Sequence, residues 1–208
     1  MTGGFEMGNL WYNEPKSIDT ACDVLGDIIM MSASMQYGGW STRVDDLLAP
    51  YVEKSYKIYK DELLGYGLRD EKAEEIALNK SRKDLEQGIQ GLEYKLNSVA
   101  SSRGDYPFTT FAIGLGESKF EQMVSEAVLT VRMNGQGKGG NKKPVLFPKI
   151  IFLYDENLHG EGKKLEHIFK LGVQCSSKAM YPDWLSLTGE SYVGEMYKKY
   201  GEVVYPMG

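Results

Sequence analysis

Apolar residues recur at three- and four-residue spacing through most of the first hundred positions. Ile18, Ala21, Cys22, Leu25, Ile28, Ile29 and Ser32 trace one such face, as an amphipathic helix requires. Pro15-Lys-Ser-Ile18 is predicted to start it, since proline is tolerated in a first turn where its missing N–H is not needed. The helix stops near Gln36-Tyr-Gly-Gly-Trp40, which reads either as a glycine C-cap or as a ligand-contacting turn. A second helix is predicted from Arg43 to Leu64 through Val44, Leu47, Leu48, Tyr51, Val52, Tyr56 and Tyr59, with a kink or restart at Pro50. A third runs from Arg69 to about Ser98 through Ala73, Ile76, Ala77, Lys80, Leu85, Ile89, Leu92 and Leu96. Residues 1–14 read as an extended, polar lead-in.

The pattern changes after residue 104. Phe108–Gly116 and Pro144–Tyr154 are apolar runs without helical period, and a helical pattern from Ser118 to about Val131 separates them. Strands apolar on both faces, joined by a crossover helix, predict an α/β fold with a parallel sheet. Asn157–Lys164 reads as a polar loop, Leu165–Ser176 as a helix and Met180–Leu187 as a Pro-bounded strand. Thr188–Lys199 is rich in glycine and tyrosine, and Glu202–Gly208 is strand-like.

Composition narrows the class without deciding it. The 208 residues are 42% hydrophobic and 25% charged, ordinary for a globular chain. A net charge of −5 and a pI near 5.2 oppose direct nucleic-acid binding yet leave free nucleotides as ligands. Two cysteines, Cys22 and Cys175, exclude a disulfide framework and fit a reducing cytoplasm. No apolar run is long enough to cross a membrane.

Candidate chemistry concentrates in a few places. Gly135–Lys143 holds four glycines and three lysines, suited to gripping a phosphate-bearing ligand or, as is commoner for lone glycine-lysine runs, to a solvated connector. It is not a Walker loop, because no Gly-Lys-Ser/Thr opens a helix. Lys149, inside an apolar strand, either pairs with an acid or faces a substrate anion, with Asp183 as a possible partner. Cys175 reads as a structural thiol, since no His or acid lies at useful spacing, and Cys22 as core. No catalytic group stands out.

Taken in order, eight segments resemble the anaerobic (class III) ribonucleoside-triphosphate reductases, the glycyl-radical family. They are Gly4-Phe-Glu-Met-Gly-Asn9; Pro15-Lys-Ser-Ile18; Gln36-Tyr-Gly-Gly39; Val44-Asp45 with Leu48-Ala-Pro-Tyr-Val52; Pro107-Phe-Thr-Thr110 with Gly114-Leu-Gly116; Phe147-Pro-Lys-Ile-Ile-Phe152; Cys175-Ser-Ser-Lys178 with Met180-Tyr-Pro-Asp183; and Pro206-Met-Gly208. The resemblance implies part of a ten-stranded α/β barrel with a largely helical N-terminal half. Residues 1–104 would form a helical dimer and effector region, and 105–208 a partial barrel.

The implied activity is radical reduction of ribonucleoside triphosphates to deoxyribonucleoside triphosphates by a cytoplasmic homodimer. In the family the radical cysteine follows Pro-Met-Gly directly, so the chain is expected to be an internal piece, inactive alone, with Met207 beside the missing sulfur. A glycyl radical, a structural zinc, ATP and deoxynucleotide effectors, and an iron–sulfur/S-adenosylmethionine activating protein belong to the whole enzyme. By position, Asn13, Lys16, Asp27 and Lys60 would approach the effector. Gly135, Gly137, Lys138 and Lys142 would line a loop linking effector to substrate. The alternatives are a stand-alone nucleotide-binding and dimerisation module, and an unrelated α/β enzyme using Lys149 and Asp183.

Overall fold

The computed structural model describes residues 1–35, 39–100, 104–145, 147–201 and 203. Its N-terminal half is helical. Helix α1 spans Ile18–Met35, α2 spans Val44–Gly65 and α3 spans Asp70–Ser98. Most of each predicted face is buried: Ile18, Ala21, Cys22, Leu25 and Ile29 on α1; Val44, Leu48, Tyr51 and Val52 on α2; Ala73, Ala77, Leu85, Ile89, Leu92 and Leu96 on α3. Lys80, by contrast, is exposed with its ammonium over the Tyr59 ring. α1 begins at Ile18, so Pro15 precedes the helix and is not in its first turn. The Ile18 N–H is instead satisfied by Ser55 Oγ of α2 at 2.9 Å. Pro50 lies inside α2 without ending it, close enough to the N-terminus that the lost hydrogen bond interrupts only the second turn.

The lead-in is a small antiparallel hairpin, β1 (Phe5–Met7) with β2 (Leu10–Tyr12), closed by the Phe5–Tyr12 ring stack at 5.5 Å. Four further strands make one parallel sheet in the sequential order β3 (Gly39–Arg43), β4 (Phe108–Ile113), β5 (Lys149–Tyr154) and β6 (Asp183–Ser186). Strand β3 was not foreseen. Gly39 and Trp40, expected to cap α1 or form a turn, lie in a strand paired with Phe108 and Thr109; Gln36–Gly38 lie outside the described residues. A run of five residues, Gly39–Arg43, whose last three are polar and whose one apolar side chain is Trp40, carries too little apolar alternation to announce itself.

Helix α4 (Lys119–Asn134) links β4 to β5 and opens on a capping box between Ser118 and Glu121. Helices α5 (Glu156–His159) and α6 (Glu166–Ala179) link β5 to β6. α5 corrects the expectation of an unbroken polar loop over 157–164: Asp155 caps its N-terminus by accepting from Asn157 N–H at 2.9 Å. Within the glycine- and tyrosine-rich Thr188–Lys199, whose pattern predicts no element, α7 (Tyr192–Tyr200) begins; Ser191 caps it, and Gly201 follows with φ 69°.

Sequential parallel strands joined by crossovers of one hand place every crossover helix on the same face. The burial agrees. Phe111, Ile113, Ile150 and Phe152 join the main core with α1–α4 and α6. Their neighbours Ala112, Ile151 and Leu153 point to the other face, where with Leu187 they form a smaller cluster beneath Val193 and Tyr197 of α7.

Candidate functional site

The face of the sheet away from the crossover helices carries polar side chains in register. Ser41, Thr110 and Lys149 form one row, and Arg43, Ala112, Ile151 and Asp183 the next. Lys149 pairs with no acid among the described residues; its Nζ sits 5.8 Å from the centre of the half-exposed Phe108 ring, a cation–π contact. Asp183 lies diagonally across from Lys149 on the same face, one strand over, and no ion pair joins them.

The C-terminal ends of the strands are held by a buried carboxylate. Asp45, in the first turn of α2, is wholly buried. Its Oδ2 accepts from the N–H groups of Gly114 (3.1 Å) and Gly116 (3.2 Å), and its Oδ1 from Asp46 N–H (2.9 Å). Burial pushes the carboxyl above its ordinary value, partly offset by Arg43 and the three N–H donors. Gly114, at φ 115°, sits with its Cα hydrogen side 3.0 Å (as an added Cβ) from the Leu153 carbonyl, so no side chain fits there. On the other side, His159 Nε2 lies 2.8 Å from the Gly114 carbonyl, which has no proton to give. Nε2 therefore donates, and Nδ1 accepts the Asp155 N–H at 3.0 Å. Burial holds this imidazole below its ordinary pKa and so neutral. The Gly114-Leu-Gly116 turn is thus gripped from both neighbouring strand ends.

The Gly135–Lys143 segment is a closed loop rather than a loose connector. Gln136 N–H donates to Lys143 O (2.9 Å), Lys143 N–H to Gln136 O (2.8 Å) and Asn141 N–H to Lys138 O (2.9 Å). Gly135 and Gly137 have φ of 64° and 125°, which favours glycine at both. Lys138, Lys142 and Lys143 are exposed and make no ion pair among the described residues. The base of the loop is fixed by two buried charges missed in the sequence. Arg132 of α4 donates from Nε to Glu93 Oε1 of α3 at 3.0 Å. The available signal was one charge of each sign on the apolar faces of consecutive helices.

The four residues proposed for an effector are not brought together. Asp27 pairs with Lys95 at 3.0 Å, and Lys60 with Asp70 at 3.0 Å and Glu74 at 3.8 Å. Both already have partners on α3. Lys16 instead lines a cleft of about 480 Å³ with Lys54, Lys57, Glu14, Pro15 and Ile58, and Asn13 is exposed just before it. Lys54 is partnered by Glu14 and Lys57 by Glu53. Lys54 and Lys57 were missed because they sit on an exposed helix surface already rich in charge.

The cysteines have no reactive setting. Cys175 is buried against the Leu129 carbonyl (3.5 Å), its thiol pushed up to about 11 by burial; Cys22 is raised further by the same cause. Met207 lies outside the described residues. Among the described residues, no three His, Cys, Asp or Glu side chains gather as a metal site, and no helix is long and apolar enough to cross a membrane.

A sequence profile described as anaerobic ribonucleoside-triphosphate reductase matches residues 1–208. The chain belongs to this family. It is 37% identical over 210 aligned residues to the anaerobic ribonucleoside-triphosphate reductase of Escherichia coli, with all of this chain but 28% of that protein aligned. The Salmonella typhimurium enzyme is 36% identical over the same span, again with 28% of its length covered. The enzyme of Enterobacteria phage T4 is 34% identical over 89% of this chain and 30% of its own length. The chain therefore spans less than a third of the curated relatives it matches.

Proposed function

We propose that this chain supplies part of the wall of an α/β barrel, with a helical dimer and effector region, in an anaerobic ribonucleoside-triphosphate reductase. The sheet is the observation that supports this most. Four parallel strands run in sequential order with every crossover helix on one face, the arrangement that closes into a barrel. A doubly wound sheet would reverse its order and bury both faces under helices. In this reading residues 105–208 form a sector of the family's ten-stranded barrel, and residues 1–104 carry subunit and effector contacts.

The reaction is radical reduction of ribonucleoside triphosphates to deoxyribonucleoside triphosphates in the cytoplasm. A glycyl radical, made with an iron–sulfur/S-adenosylmethionine activating protein, supplies its chemistry. This chain's own residues position and shield: Asp45 and His159 hold the Gly114–Gly116 turn at the strand ends, and Lys149 presents a cation on the inner face. Met207 would adjoin the radical cysteine. The described residues offer no ligand set for the family's structural zinc. The isolated chain is expected to produce no deoxyribonucleoside triphosphate. Anaerobic reconstitution with polypeptides spanning the remaining family length and the activating protein restores production; turnover by the chain alone would sink the proposal.

For the effector, the cleft of Lys16, Lys54 and Lys57 replaces the four-residue set. Calorimetry with deoxynucleoside triphosphates is expected to show binding that weakens with salt and falls about tenfold in Lys16→Ala, the usual scale of one charge-assisted contact. Lys60→Ala, whose lysine is taken up by Asp70 and Glu74, leaves it unchanged. Because this cleft is complete within the chain, binding here without any reconstituted activity would favour the stand-alone nucleotide-binding module instead.

A further inference from the structure

Helices α3 and α4 each place one charge on an apolar face, Glu93 beside Leu92 and Leu96, and Arg132 beside Val128, Leu129 and Val131. Both charged side chains are almost fully buried. Removing two charges from water is costly, and a buried pair adds little stability over well-packed apolar residues. Among the described residues Arg132 Nη1 is buried with no hydrogen-bond acceptor, although the guanidinium lies 5.0 Å from the centre of the Tyr181 ring. Stability alone does not account for it.

What the pair touches suggests its role. Arg132 Nη2 donates to the Pro148 carbonyl at 2.6 Å, one residue before β5. The second oxygen of Glu93 accepts from Gln136 Nε2 at 3.2 Å, and the same amide donates to Gln90 O at 3.2 Å. Gln136 is also the residue whose backbone closes the lysine loop on Lys143. One turn along α3, Asn97 brackets Phe147, donating to its carbonyl at 2.6 Å and accepting its N–H at 3.2 Å. Helix α3 therefore holds both ends of the segment that carries the loop, at Gln136 and Phe147 directly and at Pro148 through Arg132 of α4. Lys149 follows directly. The same helix holds Asp27 of α1 through Lys95 and Lys60 of α2 through Asp70 and Glu74.

We propose that Glu93, Arg132, Gln136 and Asn97 form a positioning clamp that makes the lysine loop and the start of β5 follow the position of α3. Hydrogen bonds of about 3 Å are directional, whereas an apolar contact would let α3 slide by a fraction of a turn without loss. The regulatory meaning of the clamp rests on the reading that the loop takes a polyphosphate and that α1 and α2 carry an effector.

Residue-resolved amide hydrogen exchange on the whole chain tests it. In Glu93→Gln the amides of Gln136 and Lys143, which close the loop, are expected to exchange about tenfold faster, while Ala112 and Ile151 in the sheet keep their protection. Unchanged protection at Gln136 and Lys143, or a uniform loss across the chain, would overturn the clamp. Should Glu93→Gln fail to fold, Gln136→Leu removes the side-chain links of the loop to Glu93 and Gln90 of α3 and leaves the ion pair; faster exchange at Lys143 is expected again, and its absence counts against the clamp. Inorganic tripolyphosphate separates the two readings. If it binds in a manner dependent on Lys138 and Lys142, exchange over residues 90–97 of α3 is expected to slow in the native chain and not in Gln136→Leu. Binding with no change in α3 overturns the clamp. No binding removes the ligand reading of the loop, and the unliganded exchange result still decides the clamp.

Discussion

Two buried residues carry the clearest single-site consequences. Asp45→Ala leaves the N–H groups of Gly114 and Gly116 without their acceptor in a buried place, at a cost of about 2–4 kcal/mol. Asp45→Asn keeps one oxygen and is expected to lose less; denaturant midpoints measured at constant slope decide this. His159 makes the fold pH-sensitive in a definite direction. Its imidazole is neutral when folded, with a pKa held below the ordinary 6.5 by burial. The unfolded chain therefore binds the proton first as pH falls, and stability drops as pH passes down through about 6.5 until it reaches the lower folded value. Urea midpoints at pH 7.5 and 5.5 should show this loss in the native chain and a smaller one in His159→Gln. An equal loss in both would place the sensitivity elsewhere.

At the scale of elements, Gly135 controls the lysine loop. An added Cβ would lie 2.8 Å from the Lys143 carbonyl, and φ is 64°. Gly135→Ala is thus expected to open the Gln136–Lys143 bridge and cost about 1–2 kcal/mol. Faster proteolysis at Lys138 and Lys142, with a downward shift of the unfolding midpoint of the matching size, would register it. Helical periodicity revealed α1, α2, α3, α4 and α6, because each buries a face whose spacing is set by helix geometry, and unbroken apolar or Pro-bounded runs revealed the three later strands. It missed β3, where Trp40 and Thr42 are the only inward cues, and α7, whose amphipathic side is tyrosine and valine among glycines. Of the site, the loop glycines and lysines were legible. Asp45, the Glu93–Arg132 pair and the partners that engage Asp27 and Lys60 were not, since each depends on residues 39 or more positions apart, or on a neighbouring helix, meeting in space.

The whole molecule presents one covered and one partly bare sheet face. Crossover helices bury Phe111, Ile113, Ile150 and Phe152, whereas among the described residues the opposite face has only the small cluster under α7 and leaves Phe108 48% exposed beside Lys149. Among the described residues, the outer edges of β3 and β6 have no strand partner. Unpaired edges next to an apolar face invite pairing with another chain. A barrel sector separated from the rest of its sheet should therefore self-associate, against the mild repulsion of a net charge of −5, and more so in high salt, where that repulsion is screened. Sedimentation velocity across a concentration series is expected to show this. Phe108→Lys puts a second cation beside Lys149 on the bare face; it gives up the edge contact with Phe147, worth about 1 kcal/mol, and should shift the distribution toward monomer with the fold intact. A chain that stays monomeric throughout, or associates equally with and without Phe108, would mean that this face is already closed and that the barrel-sector reading of the sheet is wrong.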